Sequence, residues 1–248
     1  MLFLSGLLVL QQRKSELSQL WRFPKYMGGL LLSTALVSFN WGIFIYSIQI
    51  DRVVEASLGY YINPLVSMFL GYVFLKERFN RGQKLAILIA GIAVANFVWQ
   101  FGQMPWIALG LAISFALYGL CRKLIPVTPM VGLFVETLIA TPFALAWIGS
   151  GVVTGTGHFG ISWTLTLLLI GSGVITSLPL LWFNNAAKLL RLSTLGFFQY
   201  IGPSLQLLLG VFLYNEAFTT THAITFTLIW IALAIYSVTA LKKSAQVK

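Results

Sequence analysis

The sequence predicts an all-α integral membrane protein, an inverted-repeat helical bundle of eight complete transmembrane helices preceded by a partial N-terminal one. Three observations predict it. Hydrophobic residues make up 58% of the chain and charged residues 9%, with a mean hydropathy of +0.87, whereas a soluble domain carries roughly a quarter charged residues. Apolar runs recur that are long enough to cross a hydrocarbon core of ~30 Å, which takes ~20 helical residues. Lys and Arg fall between those runs on alternate sides.

Taken in order, the complete runs lie at about 27–50, 55–75, 85–101, 105–121, 130–149, 163–186, 193–214 and 222–241. The opening Met1 to Leu10 is too short to span. It also lacks the basic start and small-residue cleavage site of a signal peptide, so it reads as the tail of a truncated helix. Counting basic residues in alternate loops puts Arg13, Lys14, Arg22, Lys25, Lys76, Arg78, Arg81, Lys84, Arg122, Lys123, Lys188, Arg191, Lys242, Lys243 and Lys248 on one side and only Arg52 on the other. A missed or extra span would scramble that split. The basic side is assigned to the cytoplasm, which makes the C-terminal tail, 242–248, cytoplasmic.

The net charge of +10 does not indicate nucleic acid, because a nucleic-acid binder gathers its basic residues on one hydrophilic face or arm. Here they are scattered between apolar runs, where they act as topology signals and meet anionic lipid heads. The single cysteine, Cys121, rules out an internal disulfide framework. It also leaves no Cys/His cluster with metal-site spacing. His158 and His222 read as residues in or beside outer loops. No cofactor, metal or catalytic residue is expected.

The chain repeats itself with opposite sense. Pro64, Gly71, Glu77 and Phe79 match Pro203, Gly210, Glu216 and Phe218, each pair 139 residues apart. A Leu-Gly-aromatic-aromatic start, Leu58 to Tyr61 and Leu195 to Phe198, recurs at an offset of 137. By the charge count the helix of Pro64 runs inward and that of Pro203 outward. Inverted repeats of this kind build many secondary transporters, with the substrate site near the midplane where the halves meet. Residues 1–101 form an incomplete first repeat, a partial helix plus three helices, and 105–241 a second repeat of five. The symmetrical arrangement has ten helices.

The stretches EASLGYYINPLV (Glu55 to Val66), IALGLAISFALYGLCRK (Ile107 to Lys123) and RLSTLGFFQYIGP (Arg191 to Pro203) resemble the RarD group of the EamA-type drug/metabolite transporter superfamily, and the resemblance extends over practically the whole chain. It implies ten helices in two inverted five-helix units and a permease role, linked in name to chloramphenicol sensitivity. The chain departs from the family pattern at its start, lacking the first helix, which in the family is expected to line the central cavity, and about half of the second.

Site candidates follow from polarity at membrane depth. Pro64 and Pro203 each remove a backbone donor and push aside the carbonyl four residues earlier, those of Tyr60 and Gln199. Such polar backbone must face protein or a water-filled cavity; packing kinks are the competing role. Asn63 and Gln199 lie beside these prolines, where an amide can bond a solute without burying charge, and Asn40 also lies at depth. Interhelical hydrogen bonding is the alternative for all three. Glu136 is the acidic residue well inside an apolar run, suited to a coupling proton or a substrate amine, or else to snorkelling or a helix-start hydrogen bond. Tyr60, Trp41 and Tyr200 are candidate cavity walls, and Glu77 and Glu216 read as interface anchors or gate partners. The expected partners are the lipid bilayer, a small-molecule solute and a coupling proton. The expected function is alternating-access transport of a small organic metabolite or drug across the bacterial inner membrane. A truncated, transport-inactive fragment or assembly subunit is the alternative. A membrane-embedded enzyme needs an interfacial cluster of carboxylates, His or Lys that no loop supplies.

Overall fold

The computed structural model describes residues 1–11, 16–17, 20, 24–155, 157, 159–205 and 220–245. Its elements are helices: α1 Leu2–Leu10, α2 Pro24–Gln49, α3 Val53–Leu75, α4 Arg81–Phe101, α5 Trp106–Leu124, α6 Pro129–Thr154, α7 Trp163–Leu189, α8 Leu192–Gln199 and α9 Thr220–Ala245. Seven of them contain segments long and apolar enough to cross a membrane, and no strand occurs among the described residues. The chain is thus an all-helical membrane protein. The run at 193–214 begins with α8 and continues as helix over 201–205, and the remainder lies outside the described residues. So do Arg13, Lys14, Arg22, His158, Gly210, Glu216, Phe218 and Lys248.

Local chemistry explains where helices begin and stop, and why some extend past their apolar runs. α4 starts at Arg81 because Asn80 and Gln83 form a reciprocal capping box, Asn80 Oδ1 accepting the Gln83 N–H at 2.8 Å and Gln83 Oε1 accepting the Asn80 N–H at 3.1 Å. That device satisfies two donors the helix would otherwise leave open. α6 starts with Pro129 at a position where its missing N–H costs nothing. Gly102 and Gly155 close α4 and α6 at φ of +73° and +69°, a conformation glycine adopts without steric penalty. α8 stops at Gln199, since Pro203 has no N–H to give the Gln199 carbonyl; α3, by contrast, runs unbroken through Pro64.

The chain divides into two compact units, with the divisions falling inside α2 and α5. The first comprises Met1–Ser38 and Cys121–Leu189. In it α1 and α7 each pack on α6, with Leu4, Leu8, Leu30, Val131 and Leu133 buried.

The second comprises Phe39–Leu120 and Leu190–Lys248. Here α4 packs along α9, and α3 packs on α8 and α4. The α4 face is built from Ala86, Ala90 and Ala93, all fully buried in the cluster with Ile229 and Ala232. Small residues let helix backbones approach where lipid supplies no hydrophobic drive. Phe197 of α8 stacks on Tyr236 of α9 with centroids 3.9 Å apart.

A helix start repeats as well as sequence. Val53 and Leu192, which open α3 and α8, are 139 residues apart.

One charge assignment needs correcting. Arg122 and Lys123 were counted as loop charges, yet both lie on the last turn of α5, and Arg122 is fully buried. The apolar criterion ended that helix at 121 because it read the first charge as the boundary.

Candidate functional site

In the second unit, the contact between α3 and α8 brings Pro64 against the segment that leads to Pro203. A β-carbon on Gly196 would stand 3.0 Å from the Pro64 carbonyl oxygen and 3.1 Å from Ser67 Cβ, so glycine is what lets the two backbones meet. Asn63, buried beside Pro64, accepts the Ser67 hydroxyl at 3.1 Å through its Oδ1. Gln199 Oε1 and Tyr200 Oη, on the residues where α8 breaks, are buried with no hydrogen-bond partner among the described residues. Roughly 90% or more of buried polar groups are paired in folded proteins. Gln199 and Tyr200 adjoin the proline break, with Tyr200 fully buried in the apolar cluster of this unit.

The other candidates of this unit separate by role. Asn40 Nδ2 donates to the Leu111 carbonyl and to Ser114 Oγ, each at 2.9 Å, tying α2 to α5. Its amide protons are thus occupied by the interhelical role. Tyr60 is 41% exposed, with its ring edge-on to Phe44 at 6.4 Å. Trp41, the neighbour of Asn40, is also exposed. The structure thus brings Pro64 and Ser67 to α8 and sets Tyr60 against α2.

Glu136 belongs to the first unit and forms a second polar centre there. It is 2% exposed, so it does not snorkel. Ser33 Oγ donates to Glu136 Oε1 at 2.5 Å, and Arg122 Nη1 stands 3.4 Å from the same oxygen. Arg122 Nη2 donates to the Pro129 carbonyl at 3.3 Å, while Nε has no hydrogen-bond partner among the described residues. The guanidinium occupies space that Gly132 leaves: a β-carbon there would lie 2.0 Å from Nη1 and 2.3 Å from Nη2. Lys123 and Lys188 are nearby, donating to the carbonyls of Ala187 (3.0 Å) and Ile125 respectively. A charge at the bilayer centre costs at least ~2.5 kcal/mol on insertion scales, and pairing reduces that penalty only where the geometry is good.

Sequence reasoning missed Ser33 and Arg122 as partners of Glu136. A signal existed, because only residues 125–128 separate α5 from α6, so the last turn of one lies close to the first turn of the other. That places Gly132 beside Arg122 and Glu136 one helical turn, ~5.4 Å, further along, within reach of an arginine side chain. The remaining described glutamates serve other helices. Glu77 accepts the Leu192 N–H at 2.7 Å and the Ser193 N–H at 3.1 Å, as well as the Ser193 hydroxyl, and lies 3.7 Å from Arg191 Nε. Glu55 accepts the Ile107 N–H at 2.8 Å and pairs with Arg52 at 3.3 Å. Glu16 accepts the hydroxyl of Thr128, the residue just before α6, at 2.7 Å. Each places a negative charge at the positive end of a helix dipole.

Comparison with known proteins agrees with this architecture. Residues 1–99 match the EamA-like transporter family. Protein RarD of Salmonella typhi is 47% identical over 240 residues, covering 96% of this chain and 82% of that protein. An uncharacterized transporter of Vibrio cholerae is 50% identical over 223 residues, covering 88% of this chain and 73% of that protein. A solved crystal structure superposes with a TM-score of 0.62 at 20% identity, covering 91% of this chain and 79% of the other, a likeness of fold. On these matches and on its all-helical membrane architecture, the chain belongs to the RarD group of the EamA-like family, within the drug/metabolite transporter superfamily.

Proposed function

We propose that this protein is a secondary permease, moving a small organic metabolite or drug across the bacterial inner membrane by alternating access, with Asn63, Gln199, Tyr200 and Tyr60 as solute contacts. The observation that carries the reading is the pair of buried, unpartnered polar atoms on Gln199 and Tyr200, on the helix that packs against Pro64. Family membership and relatives named as transporters support the same role. Trp41 flanks the Tyr60 wall in this scheme, while Asn40 acts as a clamp between α2 and α5.

The permease is read as an inverted repeat. α3 and α8 start 139 residues apart, the same offset that relates Pro64 to Pro203. α3 packs on α8 and α4 on α9, whose residues stand at that offset; α1 likewise packs on α6, the second half of which lies at that offset. Pairing of equivalents is the arrangement expected around a pseudo-two-fold axis in the membrane plane. The basic-residue split supports a cytoplasmic C-terminus.

Glu136 is proposed as the coupling proton's carrier, supported by its burial and its ion pair with Arg122. The test is solute uptake and efflux in vesicles holding the purified protein. Asn63→Ala and Gln199→Ala should each lower transport while membrane expression stays near normal, since a lost interhelical bond averages only ~0.6 kcal/mol. Glu136→Gln should flatten the pH dependence of transport. Unchanged transport in both amide variants removes the solute site, and an unchanged pH profile in Glu136→Gln removes the proton role.

A further inference from the structure

Outside the proposed solute site, α3 and α4 enclose a groove of about 590 Å³. Its floor is one stripe from each helix at helical spacing, including Met68 of α3 and Gly91 and Ala95 of α4. Lys84 is the basic residue in its lining, at the end where the 76–80 segment joins the helices. Tyr72 and Phe79 stack there with centroids 6.2 Å apart, and the Arg191 guanidinium lies over the Phe79 ring at 5.7 Å. The groove is therefore apolar along its length and cationic and aromatic at one mouth.

Two magnitudes decide what fits. From Lys84 to Ala95 the rise of ~1.5 Å per residue gives a length of ~16 Å, and one leaflet of a ~30 Å hydrocarbon core is ~15 Å deep. An acyl chain of a single leaflet matches that length, with its headgroup at the mouth. The neighbourhood of the mouth carries Lys76, Arg78, Arg81 and Lys84 against Glu77, and Glu77 is buried and bonded to the start of α8. The excess of positive charge favours a headgroup with net negative charge over a zwitterionic one. The aromatic pair suits the interfacial level where such rings collect. Gly91 widens the floor, a β-carbon there meeting nothing within 4 Å.

We propose that this groove is a binding site for one anionic glycerophospholipid, its phosphate at Lys84 and one acyl chain along Met68, Gly91 and Ala95. The site does not depend on the permease reading and lies on a different surface from the solute contacts. The test uses the full chain reconstituted in phosphatidylcholine vesicles with trace spin-labelled phosphatidylglycerol or phosphatidylcholine, measuring the motionally restricted fraction of each. The wild type should hold phosphatidylglycerol preferentially, and Lys84→Gln should reduce that preference about fivefold, the attraction of roughly one basic residue near an anionic surface. Gly91→Leu, placed in open space, should lower the restricted fraction of both lipids while leaving thermal unfolding unchanged. A preference that survives Lys84→Gln, or a restricted fraction that survives Gly91→Leu, overturns the proposal. Crosslinking between copies through a cysteine placed at Ala95 would also overturn it, by showing that a second chain covers the groove.

Discussion

Replacing Gly132 by alanine adds a single methyl group, yet the surroundings of that glycine turn the change into an electrostatic one. The new β-carbon would stand 2.0 Å from Arg122 Nη1, 2.3 Å from Nη2 and 2.5 Å from Cζ, well inside van der Waals contact. The guanidinium is fully buried and held by Pro129 and Glu136, so to relieve the overlap it must leave its carboxylate. Overpacking alone costs about 1–3 kcal/mol, whereas stripping a buried charge of its partner costs about 3–5 kcal/mol. We expect Gly132→Ala to lose ~3 kcal/mol in unfolding of the purified protein by SDS titration in mixed micelles. In an Arg122→Ala background the obstruction is gone, and alanine's helix preference over glycine, ~1 kcal/mol, should make the same change neutral or stabilising. The reversal between backgrounds is the signature. Equal destabilisation in both would refute the reasoning, because it would locate the clash somewhere other than the guanidinium.

Glu77→Ala should cost about 1 kcal/mol, as the loss of an N-terminal cap does, and should speed hydrogen exchange at the Leu192 and Ser193 amides, which mass spectrometry of the 188–199 segment can read. Asn40→Ala should lower stability by ~0.6 to ~1.7 kcal/mol, as for an interhelical bond, and leave transport per folded molecule unchanged, which separates its clamping role from solute contact in a vesicle assay. A reporter fused after Lys248 should be active only in the cytoplasm, and one inserted between 150 and 162 only in the periplasm; the opposite pattern would invert the assigned orientation.

The helices were legible because a membrane imposes a length on them and punishes charge. Seven of the eight complete apolar runs coincide with long apolar helices to within a few residues, and the eighth lies partly outside the described residues. The errors occur where capping or pairing overrides hydropathy. α4 extends back to Arg81 through its capping box, and α5 extends through Arg122 because that arginine is buried against Glu136. The site was less legible because an amide at depth has two uses and sequence cannot choose between them. Asn40 Nδ2 donates to Leu111 and Ser114, while Gln199 Oε1 has no hydrogen-bond partner among the described residues. Nothing in their residue type separates these two outcomes; the neighbours that decide them are 71 and more residues away for Asn40.

The acid inventory narrows the chemistry further. Of six acidic residues in the chain, Glu55 and Glu77 are bonded to the opening amides of other helices, and Glu16 to the Thr128 hydroxyl where α6 begins. Asp51 sits at a turn with φ of +56°, and Glu216 lies outside the described residues. A carboxylate that caps a helix stabilises the fold through its charge, so cycling its proton would loosen that helix at every turnover. Glu136 faces the Arg122 guanidinium and the Ser33 hydroxyl from within the spanning helix α6. Those partners leave the backbone of α6 satisfied whichever protonation state Glu136 adopts. Protonation there would disturb the pairing with Arg122 rather than the start of a helix. On that ground the proposed coupling role falls to Glu136 rather than to Glu77, which holds the start of α8.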